Sequence, residues 1–291
     1  MEIRKAERKK AKMKMALQGV SGSGKTMSAL LLAYGICNDW NKILVIDTEH
    51  GSADLYSNLG AYNVISIPQP FTPEKYIEAL ELTKSNDISV VIIDSISHCW
   101  DYLLELHSNM AGNSFTNWGK ITPRQNAFIN AILQANVHII ATMRVKQDYV
   151  LNQKDGKYVP EKIGLKAVQR DGVDYEFTLV FDIDIKHNAI ASKDRTNLFV
   201  GRPNFRISAD TGKEILAWCN SGTDHIEINK LIDECASIDD LVELFNTYPS
   251  FQHTHNREFS NKKANLLQLN KMQQNLTTKF TQNGTTHLTA R

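Results

Sequence analysis

Short apolar runs alternate with longer amphipathic stretches between residues 13 and 220. Met15-Ala16-Leu17, Ile43-Leu44-Val45-Ile46, Val90-Val91-Ile92-Ile93 and Ile139-Ile140-Ala141 are each too short for a buried helix, and no polar residue interrupts them. Runs of that kind are strands buried on both faces. Val64-Ile65-Ser66-Ile67 is a further short strand, stopped by Pro68 and Pro70. Between the runs, Ser28–Ile36, a stretch from Thr72, and Pro123–Ala135 carry apolar residues at helical spacing. Thr72-Pro73-Glu74 opens its helix with a cap, a proline at N1 and a first-turn acid. The alternation predicts an α/β fold, with a mainly parallel central sheet flanked by helices. Residues 177–185 and 189–192 read as an antiparallel pair around the turn His187-Asn188. Residues 108–119, with Phe115 and Trp118, read as a loop.

The divisions that follow are a basic arm at 1–12, a core at 13–220, a helical segment at 221–268, and a polar tail at 269–291. The tail is rich in Thr, Gln and Asn and is predicted to be disordered.

Parallel sheets bind ligands beyond the carboxyl ends of their strands. Lys25, Glu49, Asp94 and Thr142 all fall at such ends. Gly19-Val20-Ser21-Gly22-Ser23-Gly24-Lys25-Thr26 fits G-x-x-x-x-G-K-[ST] between a strand and an apolar helix, which makes it a phosphate-binding loop. Its glycines let successive N–H groups turn inward on an anion. Lys25 is expected against the β- and γ-phosphates of ATP, and the Thr26 hydroxyl on Mg²⁺. Four apolar residues ending in Asp94 are the Walker B pattern, a second Mg²⁺ ligand. Hydrolysis also needs a group that orients the attacking water. Ser95 stands directly after Asp94, so this acid must come from elsewhere, and Glu49 is the candidate.

Residues 145–170 are basic, with Lys146, Lys154, Lys157 and Lys162 interleaved by Tyr149 and Tyr158, around a predicted turn at Lys154-Asp155-Gly156. Lysines for phosphates and aromatics for base stacking suit a sequence-tolerant single-strand site. An exposed hairpin with a solvated charged face reads equally well. The net charge of +1 announces no polyanionic partner, so any nucleic-acid surface is local. The four cysteines are scattered without a C-x-x-C, as expected of reduced thiols in the cytosol. No apolar run has transmembrane length, and the charged start does not read as a signal peptide.

Asp47-Thr48-Glu49-His50 after its apolar strand, then Tyr56, Leu59-Gly60, and Val90–Asp94-Ser95, resemble the ATPase core of RecA-type recombinases. The resemblance implies that Glu49 is the catalytic carboxylate. It also implies that the strand through Thr142, Arg144 and Lys146 ends in a γ-phosphate sensor before a DNA-binding loop. The family carries Gln at the sensing position; this chain has Thr142, with Arg144 as a second candidate. Lys193-Asp194-Arg195-Thr196 is similar to the K-x-R motif of RadA- and DnaB-type ATPases, in which the cations reach the neighbouring subunit's γ-phosphate. Asp94 to Trp100, Val168 to Phe177 and Ser192 to Thr196 resemble the phage AAA/RecA-like group that includes the Sak-type annealing recombinases.

The expectation is a DNA-stimulated ATPase of phage-type recombination or single-strand annealing. It would work as a homo-oligomeric ring or filament on single-stranded DNA, with a single-strand-binding protein as a further partner. It would be located in the cytoplasm, of the bacterial host if phage-encoded. A hexameric helicase-like or packaging motor is the alternative on the same core. A small-molecule kinase or nucleotide-gated switch is the alternative from another class.

Overall fold

The computed structural model describes residues 10–154, 157–221, 228–248 and 251–283. Within these, 148–163, 253–254 and 273–283 are described by their backbone alone. The chain divides into two compact units at Thr223/Asp224.

In the first unit the order is β1 (Lys14–Gly19), α1 (Lys25–Cys37), β2 (Ile43–Asp47), β3 (Asn63–Ser66), α2 (Pro73–Glu81), β4 (Val90–Asp94), α3 (Ser97–Ser108) and α4 (Ser114–Gln134). It continues with β5 (His138–Lys154), β6 (Lys157–Ala167), β7 (Leu179–Ile183), β8 (Ala189–Asp194) and α5 (Ala209–Asn220). The sheet runs β3-β2-β4-β5-β1-β7-β8. Its strands are parallel except for the edge strand β8, while β6 pairs antiparallel with the outer half of β5. This is the predicted α/β architecture.

Every residue of β2 and β4 is buried. Alternate side chains serve opposite faces, as the strand pleat requires. Met15, Leu17, Val45, Ile92 and Phe181 pack with Leu30 and Ala33 of α1 and Ile215 of α5. Ala16, Ile46, Val91, Ile93 and Met143 pack on the other face with Tyr76 of α2 and Phe128 of α4. Both faces are covered, so the sheet leaves its strand ends for chemistry.

Helix α4 corrects the predicted loop 108–119 and the predicted helix start at Pro123. It begins at Ser114, where the Asn113 side chain accepts the Phe115 N–H at 2.8 Å, and it carries Pro123 in its interior. A proline deprives the carbonyl four residues earlier of its donor. That residue is Gly119, which is exposed, so water can take the donor's place. Trp118 anchors the added turns, its ring centroid 6.0 Å from Trp100 and 4.1 Å from His107 of α3. Phe115 points outward, 88 % exposed.

The second unit contains α6 (Ile228–Glu234), α7 (Ile238–Thr247), α8 (Phe251–Thr254) and α9 (Asn256–Asn283) around Ile228, Ile232, Leu241, Phe259 and Leu266. Helix α9 runs through Asn283, so 269–283, expected to be disordered, is helical. Its Leu, Gln, Lys and Met residues are good helix formers, which polarity by itself does not register. Among the described residues no helix is long and apolar enough to cross a membrane.

Two features predict stability effects. A Cβ on Gly35 of α1 would lie 2.0 Å from the carbonyl oxygen of Ala209, where α5 begins. Gly35→Ala should therefore cost about 1–3 kcal/mol, read by denaturant unfolding. His138, at the start of β5, accepts the Met13 N–H on Nδ1 at 3.1 Å. Burial, with the Lys12 and Lys14 charges adding to it, pushes its pKa down from 6.5 to about 4. Between those values the unfolded chain binds the proton and the folded chain does not, so stability falls as pH drops through that window, by up to about 3 kcal/mol. His138→Asn should flatten this part of the stability–pH curve.

Candidate nucleotide site

The loop between β1 and α1 bends at Gly22 and Gly24, whose φ values of 77° and 86° lie in the left-handed region that favours glycine. Helix α1 then starts at Lys25 and presents its unpaired N–H groups to the bend. Lys25 folds back, its Nζ donating to the carbonyls of Gly19 and Val20 at 3.0 Å each. Burial lowers its pKa; Asp94 and Glu49 oppose that shift, because both carboxylates face the same ammonium.

Asp94 ends β4, 2 % exposed, and the Asp94–Ser95 peptide is cis. Thr26 Oγ1 donates to Asp94 Oδ2 at 2.6 Å and Thr142 Oγ1 donates to Oδ1 at 2.5 Å. Burial pushes the Asp94 pKa up, and the two hydroxyls and Lys25 pull against it. Thr142 is fully buried and faces Asp94, so it is a positioning residue for the Walker B acid.

Asp47 shapes the loop after β2. Its Oδ1 accepts the Glu49 N–H at 2.6 Å and its Oδ2 the Gly51 N–H at 2.7 Å. The loop so held turns the Glu49 carboxylate into the cavity that Lys25 also lines. Arg144 grips that carboxylate with both arms of its guanidinium, Nε to Oε1 at 2.9 Å and Nη2 to Oε2. The Ser95 hydroxyl donates to Oε1 at 3.1 Å, and His98 Nε2 stands 3.8 Å away. Burial acts to raise the Glu49 pKa, but the Arg144 hydrogen bond and charge outweigh it, and the carboxyl titrates below its ordinary range. Glu49 is therefore ionised across neutral pH.

The cavity holds about 850 Å³ and is lined by the phosphate loop, Thr26, Glu49, Asp94 and Arg144. That volume suits a ligand of nucleotide size. The Thr26 hydroxyl and the Asp94 carboxylate put two hard oxygens side by side, and Ser52, also on the wall, keeps a buried hydroxyl oxygen without a partner among the described residues. Among the described residues no cluster of three or more His, Cys, Asp or Glu forms a metal cage. One or two protein oxygens completed by phosphate and water is the way Mg²⁺ is commonly held. Thr26 and Asp94 fit it, and an ion held there would neutralise charge on the β- and γ-phosphates.

Other candidates are placed differently. Lys193 Nζ donates to the Asp174 carbonyl at 2.9 Å and to that of Tyr175, and Arg195 Nη2 reaches the same Tyr175 oxygen at 3.0 Å. Lys193 pairs with Val180, opposite Ala16, near the start of β1 and away from the phosphate loop, and neither cation lines this chain's cavity. Lys146 is exposed on β5 opposite Lys166. The side chains of Tyr149, Lys154, Lys157, Tyr158 and Lys162 lie outside the described residues. The backbone pairs Lys154 with Lys157 in a long hairpin. None of the four cysteines is joined in a disulfide. His187 and Arg206 also line the cavity. No sequence motif marks either, because His187 reaches the site from the turn after β7 and Arg206 from the segment just before α5, both far along the chain.

A glycine cradle, the lysine that opens the following helix, and two acids at the carboxyl ends of adjacent parallel strands, Asp94 on β4 and Glu49 in the loop after β2, define a P-loop nucleoside triphosphatase. A family model described as an AAA domain matches residues 11–211, and the chain belongs to that family of P-loop AAA-type ATPases. Comparison with curated proteins found no match.

Thr142→Val is isosteric and leaves one buried Asp94 oxygen without its donor. It should lower stability in the absence of nucleotide by about 1–3 kcal/mol, measured by unfolding. A direct phosphate sensor at this position would instead impair turnover and leave nucleotide-free stability unchanged.

Proposed function

We propose that this ATPase uses ATP hydrolysis to control its grip on single-stranded DNA, in the manner of phage Sak-type annealing recombinases. The observation that carries this reading is the continuity of β5. One unbroken strand bears Thr142 on Asp94, then Arg144 on Glu49, then Lys146, and goes on into the basic hairpin. A displacement of the hairpin is therefore transmitted along a paired backbone to the residue that holds the hydrolytic carboxylate.

In the proposed cycle the glycine loop and Lys25 bind the phosphates and orient the γ-phosphoryl group. The arriving phosphate offers Arg144 a second anion. As the guanidinium turns to it, Glu49 is released to accept a hydrogen bond from the attacking water and align it. Lys25 and Arg144 then stabilise the charge that develops on the transferred group. DNA on the hairpin favours the arrangement in which Arg144 has left Glu49, which gives DNA-stimulated turnover. Lys193, half-buried on the edge strand, and Arg195, exposed just beyond it, would turn from their backbone carbonyls to serve a neighbouring copy's nucleotide in a ring or filament.

Glu49→Gln should bind nucleotide normally while hydrolysis, with or without single-stranded DNA, falls by about 10²–10⁴-fold in a phosphate-release assay. Unchanged turnover would remove Glu49 from the mechanism. Lys154→Gln with Lys157→Gln should weaken single-strand binding and make log K fall less steeply with log salt, by about one unit of slope for each DNA phosphate left unneutralised. An unaltered slope and affinity would place the DNA elsewhere.

A further inference from the structure

The β7–β8 turn closes over the phosphate loop on the side away from the acids. Strand β1 lies between β5 and β7, so Glu49, Asp94 and Arg144 flank the loop from one side and the turn at 184–188 from the other. The turn is held firmly. Asp184 Oδ1 accepts the Lys186 N–H at 2.8 Å and the Asn188 N–H at 2.9 Å, and Ala189 is bridged to Phe205 just beyond. It lays Ile185 over Gly22 and His187 over Gly24, where an added Cβ would meet the imidazole Nδ1 at 3.0 Å.

His187 Nδ1 lies 3.0 Å from the Ser23 carbonyl oxygen. A carbonyl only accepts, so Nδ1 carries the proton and the ring's orientation is set. Nε2 has no hydrogen-bond partner among the described residues, and the residue lines the nucleotide cavity. A ring anchored by one nitrogen to the loop that cradles phosphate, with the other nitrogen unengaged, is built to touch what the loop holds.

We propose that His187 is a nucleotide-contacting residue: as an imidazolium, with Nδ1–H anchored on Ser23, it donates from Nε2–H to the phosphate chain of the bound nucleotide, on the flank opposite Glu49. The inference rests on the phosphate loop being the nucleotide site. Because the contact lies away from the hydrolytic acids, it acts on binding more than on the chemical step.

Two substitutions separate contact from bracing. The amide nitrogen of Asn overlays the imidazole Nδ1, and that of Gln overlays Nε2. Asn also tolerates the left-handed backbone at this position, φ 67°. Titration of the full chain with a fluorescent ATP analogue and Mg²⁺ should show His187→Asn binding about tenfold more weakly, through the absence of one hydrogen bond to a charged group. His187→Gln should bind within about twofold of the wild type, since a donor is kept at the Nε2 position. The KM for ATP should rise in the Asn variant by more than kcat falls. Thermal unfolding checks that both variants fold. Wild-type affinity in the Asn variant, or equal weakening in both, overturns the contact and leaves the imidazole as a brace of the turn. Absence of binding by the wild type would instead refute the nucleotide site itself.

Discussion

The Asp94 carboxylate, out of water at the end of β4, is the constraint on which the site depends. An ion in that position needs donors on both oxygens, since an unmet buried charge is costly. Thr26, at the start of α1, meets one oxygen and Thr142, on β5, meets the other. Three elements far apart in the chain are thereby locked at one point. The phosphate loop cannot shift relative to β4, nor β5 relative to either, without breaking a bond to a buried charge. Thr26 is thus already beside Asp94, an arrangement that would suit a shared hard divalent cation.

The second acid is held in another way. Glu49 lies on a loop, and Asp47 stiffens that loop by taking two of its backbone N–H groups. Its carboxylate is gripped by Arg144, the residue two along from Thr142 on the same strand. An acid bound by both arms of a guanidinium is ionised and oriented, yet engaged. A competing anion can draw the arginine away. Asp94 is therefore the fixed point and Glu49 the adjustable one, and β5 touches both. The proposed link to a nucleic-acid strand is a consequence of where that single strand continues.

The fold places all of this at one edge because both sheet faces are occupied. Strands β2 and β4 are buried throughout, so polar residues in them have a place only at their ends. The close crossing of α1 and α5, where Gly35 meets Ala209, sets the depth at which α1 lies and hence the position of its first turn.

The strands, the phosphate loop and both acids were legible in the chain, because each is a local pattern: an apolar run of fixed length, a glycine bend with its lysine, an acid at a strand end. Local patterns failed where packing overruled them, or where one local cue was read over another. Pro123 reads as a helix start, but Trp118, stacked on Trp100 and His107, holds the residues before that proline in α4. Polarity reads 269–283 as disordered, but its side chains favour helix. What the tertiary structure decided was partnership. Thr142 turns to Asp94 and not to the cavity, Arg144 closes on Glu49, and His187 arrives over Gly24 from a turn much later in the chain. Contacts between residues so far apart are set by sheet order and register. Those are global solutions to burying two apolar faces, and no short window of sequence contains them.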